Sequence, residues 1–137
     1  MARRNASWLI RAATLVGGAL LAVAAQAAGL SPIKVQSGLG QPFLAEIALQ
    51  GLAEDDLLTA QARMAAPEEY EKARIGLPHA FYQFRVVLEQ PKKGPAFLRV
   101  TSSAPINEPS ITLMVEFSWR GGRIVQKYPV LLDPPKS

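Results

Sequence analysis

The chain has 137 residues, no cysteine and a formal net charge of +4. That length holds one domain, and the missing thiols exclude disulfide staples, thiolate metal sites, cysteine nucleophiles and iron–sulfur clusters. The positive surplus sits at the N-terminus and has little to say about partners: three of the 15 Lys and Arg lie within the first eleven residues.

Those residues open a targeting segment. Arg3, Arg4 and Arg11 form a basic start, an apolar run follows over 12–25, and Ala25-Gln26-Ala27 is a small-x-small cleavage site. This order describes a secretory signal peptide over residues 1–27, cleaved between Ala27 and Ala28. The alternative is retention as an anchor, against which the run falls short of the ~20 apolar residues a bilayer span needs. The Arg pair has no apolar match after it at Asn5-Ala6-Ser7, so the general secretory route is expected rather than twin-arginine export. Cleavage leaves 28–137 with twelve basic and eleven acidic side chains. The longest basic cluster is then Lys92-Lys93, in a Gly/Pro turn, so no nucleic-acid footprint is expected, nor an integral membrane segment.

The exported part reads as short strands separated by turn residues. A short strand is expected around Ile33–Gln36 and another over Pro42–Gln50, where Phe43, Ala45, Ile47 and Leu49 share one face, with Gly38, Gly40 and Gly51 as punctuation. Residues 54–66 are ambiguous. Glu54-Asp55-Asp56 suits a helix start, while Gln61 to Ala65 alternate as a strand would. Pro67-Glu68-Glu69 opens a helix of about two turns, ending before Gly76. From Phe81 on, only strands are expected: Tyr82, Phe84, Val86 and Leu88 on one face, then Phe97–Thr101, then Ile111, Leu113, Val115, Phe117 and Trp119 on one face. Gly121-Gly122 would form a hairpin turn through positive φ, and Ile124–Leu132 return. Pro129 places that last strand at a sheet edge or a bulge. About seven strands and one short helix describe a mainly β, Ig-like two-sheet sandwich over residues 28–137, with a closed barrel as the alternative.

Reactive constellations are hard to assemble. His79 is the sole histidine, too few for a zinc site without thiols, and has no triad pattern around it. The acidic clusters Glu54-Asp55-Asp56 and Glu68-Glu69-Glu71 lie at helix starts and lack calcium-loop spacing. Ser102-Ser103 and Ser118 are outside any nucleophile elbow, and Gly38-Leu39-Gly40 lacks the third glycine of a dinucleotide loop. No enzyme activity and no cofactor are expected. Two binding modes remain. One is protein docking by a sheet face or by strand addition at the Ile124–Leu132 edge, with Arg85, Arg99, Arg120, Arg123 and Val130 as candidate contacts. The other is a cell-wall glycan platform built on Trp119 or Tyr128.

Several blocks taken together carry a resemblance: Gly29 to Val35 with Ser37-Gly38-Leu39-Gly40-Gln41-Pro42 and Ala45-Glu46-Ile47; Ala66-Pro67-Glu68-Glu69-Tyr70; Leu98 to Ser103 with Pro105, Glu108 and Pro109; and Val115 to Trp119, Gly121-Gly122-Arg123 and Tyr128 to Pro135. In this order they resemble the N-terminal periplasmic domain of the FimV/HubP/TspA family. The resemblance implies that Gln61–Ala65 is a strand. It also implies a periplasmic, non-catalytic role in type IV pilus assembly, twitching motility and cell-pole organisation. Its implied partners are envelope proteins of the pilus or polar machinery, in proximity to peptidoglycan. The family's peptidoglycan-binding LysM module, transmembrane helix and cytoplasmic repeats have no counterpart in these residues, so their functions do not carry over; the chain is expected to be either a fragment or a stand-alone paralogue.

Overall fold

The computed structural model describes residues 28–134. The expected signal peptide and the Ala27 side of its cleavage site lie outside them. Seven strands form two antiparallel sheets: β1 (Gly29–Val35), β2 (Pro42–Gln50), β3 (Gln61–Met64), β4 (Phe84–Glu89), β5 (Phe97–Pro105), β6 (Ser110–Trp119) and β7 (Gly122–Leu131). Sheet A has the order β1-β2-β5-β4 and sheet B the order β3-β6-β7. The two are separate layers, so the closed-barrel alternative falls. Two short helices, α1 (Glu54–Leu58) and α2 (Pro67–Lys72), and a 3-10 turn (Phe81–Gln83) fill the crossings between sheets.

Alternation builds the layers. Phe43, Ala45 and Ile47 of β2, Phe84 and Val86 of β4, and Leu98 and Val100 of β5 face inward. They meet Ile111, Leu113, Val115 and Phe117 of β6 with Tyr128 and Val130 of β7. Side chains one residue out of phase point to the opposite face, so the polar members of each strand line the outer surfaces.

Several expectations need correction. The ambiguous segment holds both elements: α1 first, then β3. Asp56 accepts the Ala53 N–H at 2.9 Å, closing the first turn of α1. β1 begins at Gly29 rather than Ile33, and β5 runs on to Pro105. That extension is irregular. Between Pro42 and Leu44 the β2–β5 register shifts, and Ser102 Oγ stands in for a ladder partner, accepting the Phe43 N–H at 2.7 Å and donating to the Ala104 carbonyl at 2.6 Å. Tyr82 does not belong to the β4 face. It sits in the 3-10 turn, 82% exposed, edge-on to Phe81.

The β6–β7 tip also differs. Trp119 pairs with Gly122, so the two turn residues are Arg120 and Gly121. Neither glycine has positive φ; Gly40, Gly51 and Gly94 do. What these glycines supply is room: a Cβ on Gly121 would lie 2.7 Å from Trp119 Nε1 and one on Gly122 3.3 Å from Trp119 Cζ2. The indole folds back over the tip.

Candidate interaction surface

The two outer faces differ. On sheet B, α2 covers the strands around Met114 and Glu116, while Lys127, Pro129 and Leu131 of β7 stay exposed. Tyr70 is buried and packs with Phe81, Ala65 and Met114 in a second, smaller core. Beside it Glu116, 4% exposed, joins three elements: Oε2 accepts from Arg63 Nε at 2.6 Å, and Oε1 accepts from Arg123 Nε at 2.9 Å. Arg123 Nη2 also donates to Glu69 of α2 at 3.1 Å. Burial pushes the Glu116 carboxyl up, but the hydrogen bonds and charges of Arg63 and Arg123 outweigh it and hold it below the usual carboxylate range. Pure alternation marks Met114 and Glu116 as solvent-facing. The signal against that reading was the adjacent helix, whose Tyr70 needs a surface to bury into.

On sheet A no helix among the described residues lies across the outer face. Rows run across the strands: Leu44, Thr101 and Arg85; Lys34, Glu46, Arg99 and Val87; Ala48, Phe97 and Glu89. Leu44, Val87 and Ala48 are exposed there. Arg99 pairs with Glu89 at 3.4 Å and its guanidinium stands over the Phe97 ring at 5.5 Å. Where the Gln90–Ala96 loop leaves β4, it walls a groove of about 660 Å³ over Ala48 and Phe97.

The edges are guarded. The Leu132 N–H donates to the Pro109 carbonyl at 2.8 Å. Hydrogen-bonded pairs alternate along an antiparallel ladder, so the register puts Val130 and Tyr128 in bonded pairs with Ile111 and Leu113. The backbone groups facing out of β7 therefore belong to Arg123, Val125, Lys127, Pro129 and Leu131, and Pro129 has no N–H to offer. β1 is broken by a register shift between Leu30 and Ile33, beside Pro32.

The candidate contacts do not form one patch. Arg85 and Arg99 lie on the outer face of sheet A. Arg120 is at the β6–β7 tip, its N–H donating to Thr59 Oγ1 at 3.0 Å, and Arg123 is engaged by Glu116 and Glu69. Val130 is a correction: its side chain is 3% exposed in the core and its backbone turns toward β6, leaving a partner nothing to hold. The glycan platform fares no better. Tyr128 is 5% exposed and donates to the Ser31 carbonyl at 2.8 Å, and burial pushes its hydroxyl up to about 12. Trp119 is half-buried on Phe117, centroids 5.6 Å apart.

Residues 39–41, Ile106 and Asp133 meet at one end of the sandwich. Leu39 N–H donates to the Asp133 carbonyl at 2.8 Å, Gly40 N–H to the Ile106 carbonyl at 2.7 Å, and Ile106 N–H to the Gln41 carbonyl at 3.0 Å. Gly40 has φ 84°, a left-handed conformation that glycine adopts without strain. A Cβ on Gly38 would lie 3.2 Å from the Asp133 carbonyl. Nearby, His79 is exposed and its backbone N–H donates to Glu108 at 2.8 Å. Through the bonds of residues 39–41 the segment before β2 is tied to the residues that follow β5 and β7.

Comparison with known proteins agrees with this architecture. A profile of the FimV N-terminal domain, described as Ig-like, matches residues 28–135. Motility hub protein FimV from Pseudomonas aeruginosa PAO1 is 37% identical over 109 residues, and so is its counterpart from strain UCBPP-PA14. The alignment covers 78% of this chain but 12% of either relative, so the chain spans a small part of their length. No solved structure matches. Among the described residues no helix is long and apolar enough to cross a membrane. By the match over residues 28–135 and its seven-stranded, two-sheet fold, the chain belongs to the family of FimV N-terminal domains.

Proposed function

We propose that this chain is exported to the periplasm, loses residues 1–27, and acts there as a non-catalytic interaction domain in type IV pilus assembly, twitching motility and cell-pole organisation, through envelope-protein partners. One observation supports the reading: among the described residues the outer face of sheet A carries no helix and stays open. On sheet B α2 takes up the surface at Met114 and Glu116, β7 carries Pro129 in its outward row, β1 is interrupted at Pro32, and residues 39–41 bond to Ile106 and Asp133. The outer face of sheet A stays open, with exposed apolar side chains among charges. That mixture suits a protein surface. The relatives' name as motility hub proteins supports the cellular context. Face docking is favoured over strand addition, since the outward row of β7 offers an unbroken set of donors only over Arg123–Lys127.

The test is deletion of the reading frame from the bacterium that makes the chain, followed by complementation. Loss of twitching and of polar pilus assembly, restored by the wild-type chain, is expected, with the periplasmic product starting at Ala28 by mass spectrometry. Normal twitching and pilus assembly in the deletion strain would sink the reading.

A further inference from the structure

The groove on sheet A has a chemistry specific enough to name its occupant. Its floor is Ala48 of β2 and Phe97 of β5, its walls Pro32 and Lys34 of β1 on one side and Pro91, Lys93 and Pro95 of the loop on the other. Prolines fix φ, and Gly94 turns the loop at φ 98°, so the wall is formed before anything binds. The charge is unequal. Glu46 is the one acid of the lining, and it lies in register between Lys34 and Arg99. Arg99 is already committed to Glu89. Lys34 and Lys93 remain, on opposite walls, with Lys92 next to Lys93.

We infer that this groove receives an extended segment of a partner protein in which an apolar side chain is flanked by carboxylates. The apolar side chain would seat on Phe97 and Ala48 between the prolines, where burial of apolar area supplies affinity. The flanking carboxylates would meet Lys34 on one side and Lys93 on the other, where rim charges select the partner and speed its encounter. This rests on the reading of the chain as an interaction domain and adds to it the place and the kind of partner.

The test uses the full chain exported to the periplasm of an expression host, purified and isotope-labelled. It is titrated with two capped seven-residue peptides, one alternating leucine with aspartate, the other leucine with lysine. The acidic peptide should shift the amides of Lys34, Ala48, Lys93 and Phe97, weaken with added salt, and bind about tenfold less tightly to the Lys34→Glu/Lys93→Glu variant. That variant should gain binding of the basic peptide. Both positions are exposed, so an unchanged spectrum elsewhere keeps folding out of the comparison. Shifts confined to other surfaces, equal binding of both peptides, binding of neither, or lysine-dependent pelleting with peptidoglycan would each overturn the assignment. In cells, Ala48→Glu should reduce twitching with the exported level unchanged. If the deletion strain is defective but this variant is normal, the groove fails and the interaction reading stands; if the deletion strain is normal, the reading itself fails.

Discussion

The Tyr70 hydroxyl accepts the backbone N–H of Met114 at 2.8 Å. Met114 faces β3 on that side, since its carbonyl takes the Ala65 N–H at 2.8 Å. β3 stops at Met64, so the helix side chain completes a ladder that the strand abandons. Tyr70→Phe keeps the ring against Phe81 and strands the N–H in a dry site. It should destabilise the domain by about 1 to 3 kcal/mol, read as a lower urea midpoint at unchanged slope. A variant as stable as the wild type would mean that water reaches Met114 and that α2 does not seal the sheet.

Glu116 ties the same helix to the sheet by charge. Its carboxyl is held below the ordinary range in the folded state, against roughly 4.3 when unfolded. The unfolded chain therefore takes up a proton first as pH falls. The stabilisation is present above the unfolded value and disappears as pH drops through the folded one. Glu116→Gln should lower stability at neutral pH by about 1 to 2 kcal/mol, a modest figure because both arginines reach solvent. The gap between variant and wild type should narrow below about pH 4. Urea unfolding at neutral and acid pH checks this; a gap independent of pH would show that shape, not charge, is what the site needs.

Strand alternation made most of the sandwich legible. Phe43-Ala45-Ile47 and Ile111-Leu113-Val115-Phe117 are inward as their period of two requires, and of the two places Pro129 allows, an edge or a bulge, β7 takes the edge. Alternation states only which face a side chain takes, not whether that face is covered. Met114 and Glu116 were unreadable for that reason: their burial depends on α2 arriving from elsewhere in the chain. The hairpin tip was misplaced because glycine was credited with a backbone role, whereas the requirement is space for Trp119. Of the candidate contacts, Arg99 lies beside the groove. The groove itself depends on how the Gln90–Ala96 loop folds over β1 and β2, and local sequence does not encode that approach.

Tyr128 contributes to an alkaline limit, beside Tyr70, whose hydroxyl burial also pushes up. The Tyr128 hydroxyl is pushed up to about 12 by burial, from about 10 in an unfolded chain. The folded state thus resists losing that proton, and its advantage is complete below the unfolded value and lost as pH rises through the folded one. Stability should fall between pH 10 and 12 by these values. Tyr128→Phe should soften the fall, while at neutral pH it costs no more than about 1.5 kcal/mol for the bond to the Ser31 carbonyl. Unchanged alkaline unfolding in the variant would assign the limit to another group.

The hairpin tip offers a test with its own probe. The chain has two tryptophans, Trp8 and Trp119. Trp8 lies in the segment expected to be removed, so emission from the exported chain reports Trp119. Gly121→Ala would bring a methyl group to 2.7 Å from Trp119 Nε1, closer than any stable contact, and the atom it meets belongs to an indole ring packed on Phe117 rather than to a free side-chain end. The indole must move outward. Red-shifted emission is expected, with a loss of about 1 to 3 kcal/mol typical of overpacking. Gly29→Ala, whose Cβ would meet nothing within 4 Å, is the control and should leave both unchanged. Wild-type emission and stability in Gly121→Ala would mean that the tip yields and that glycine there is not needed for room.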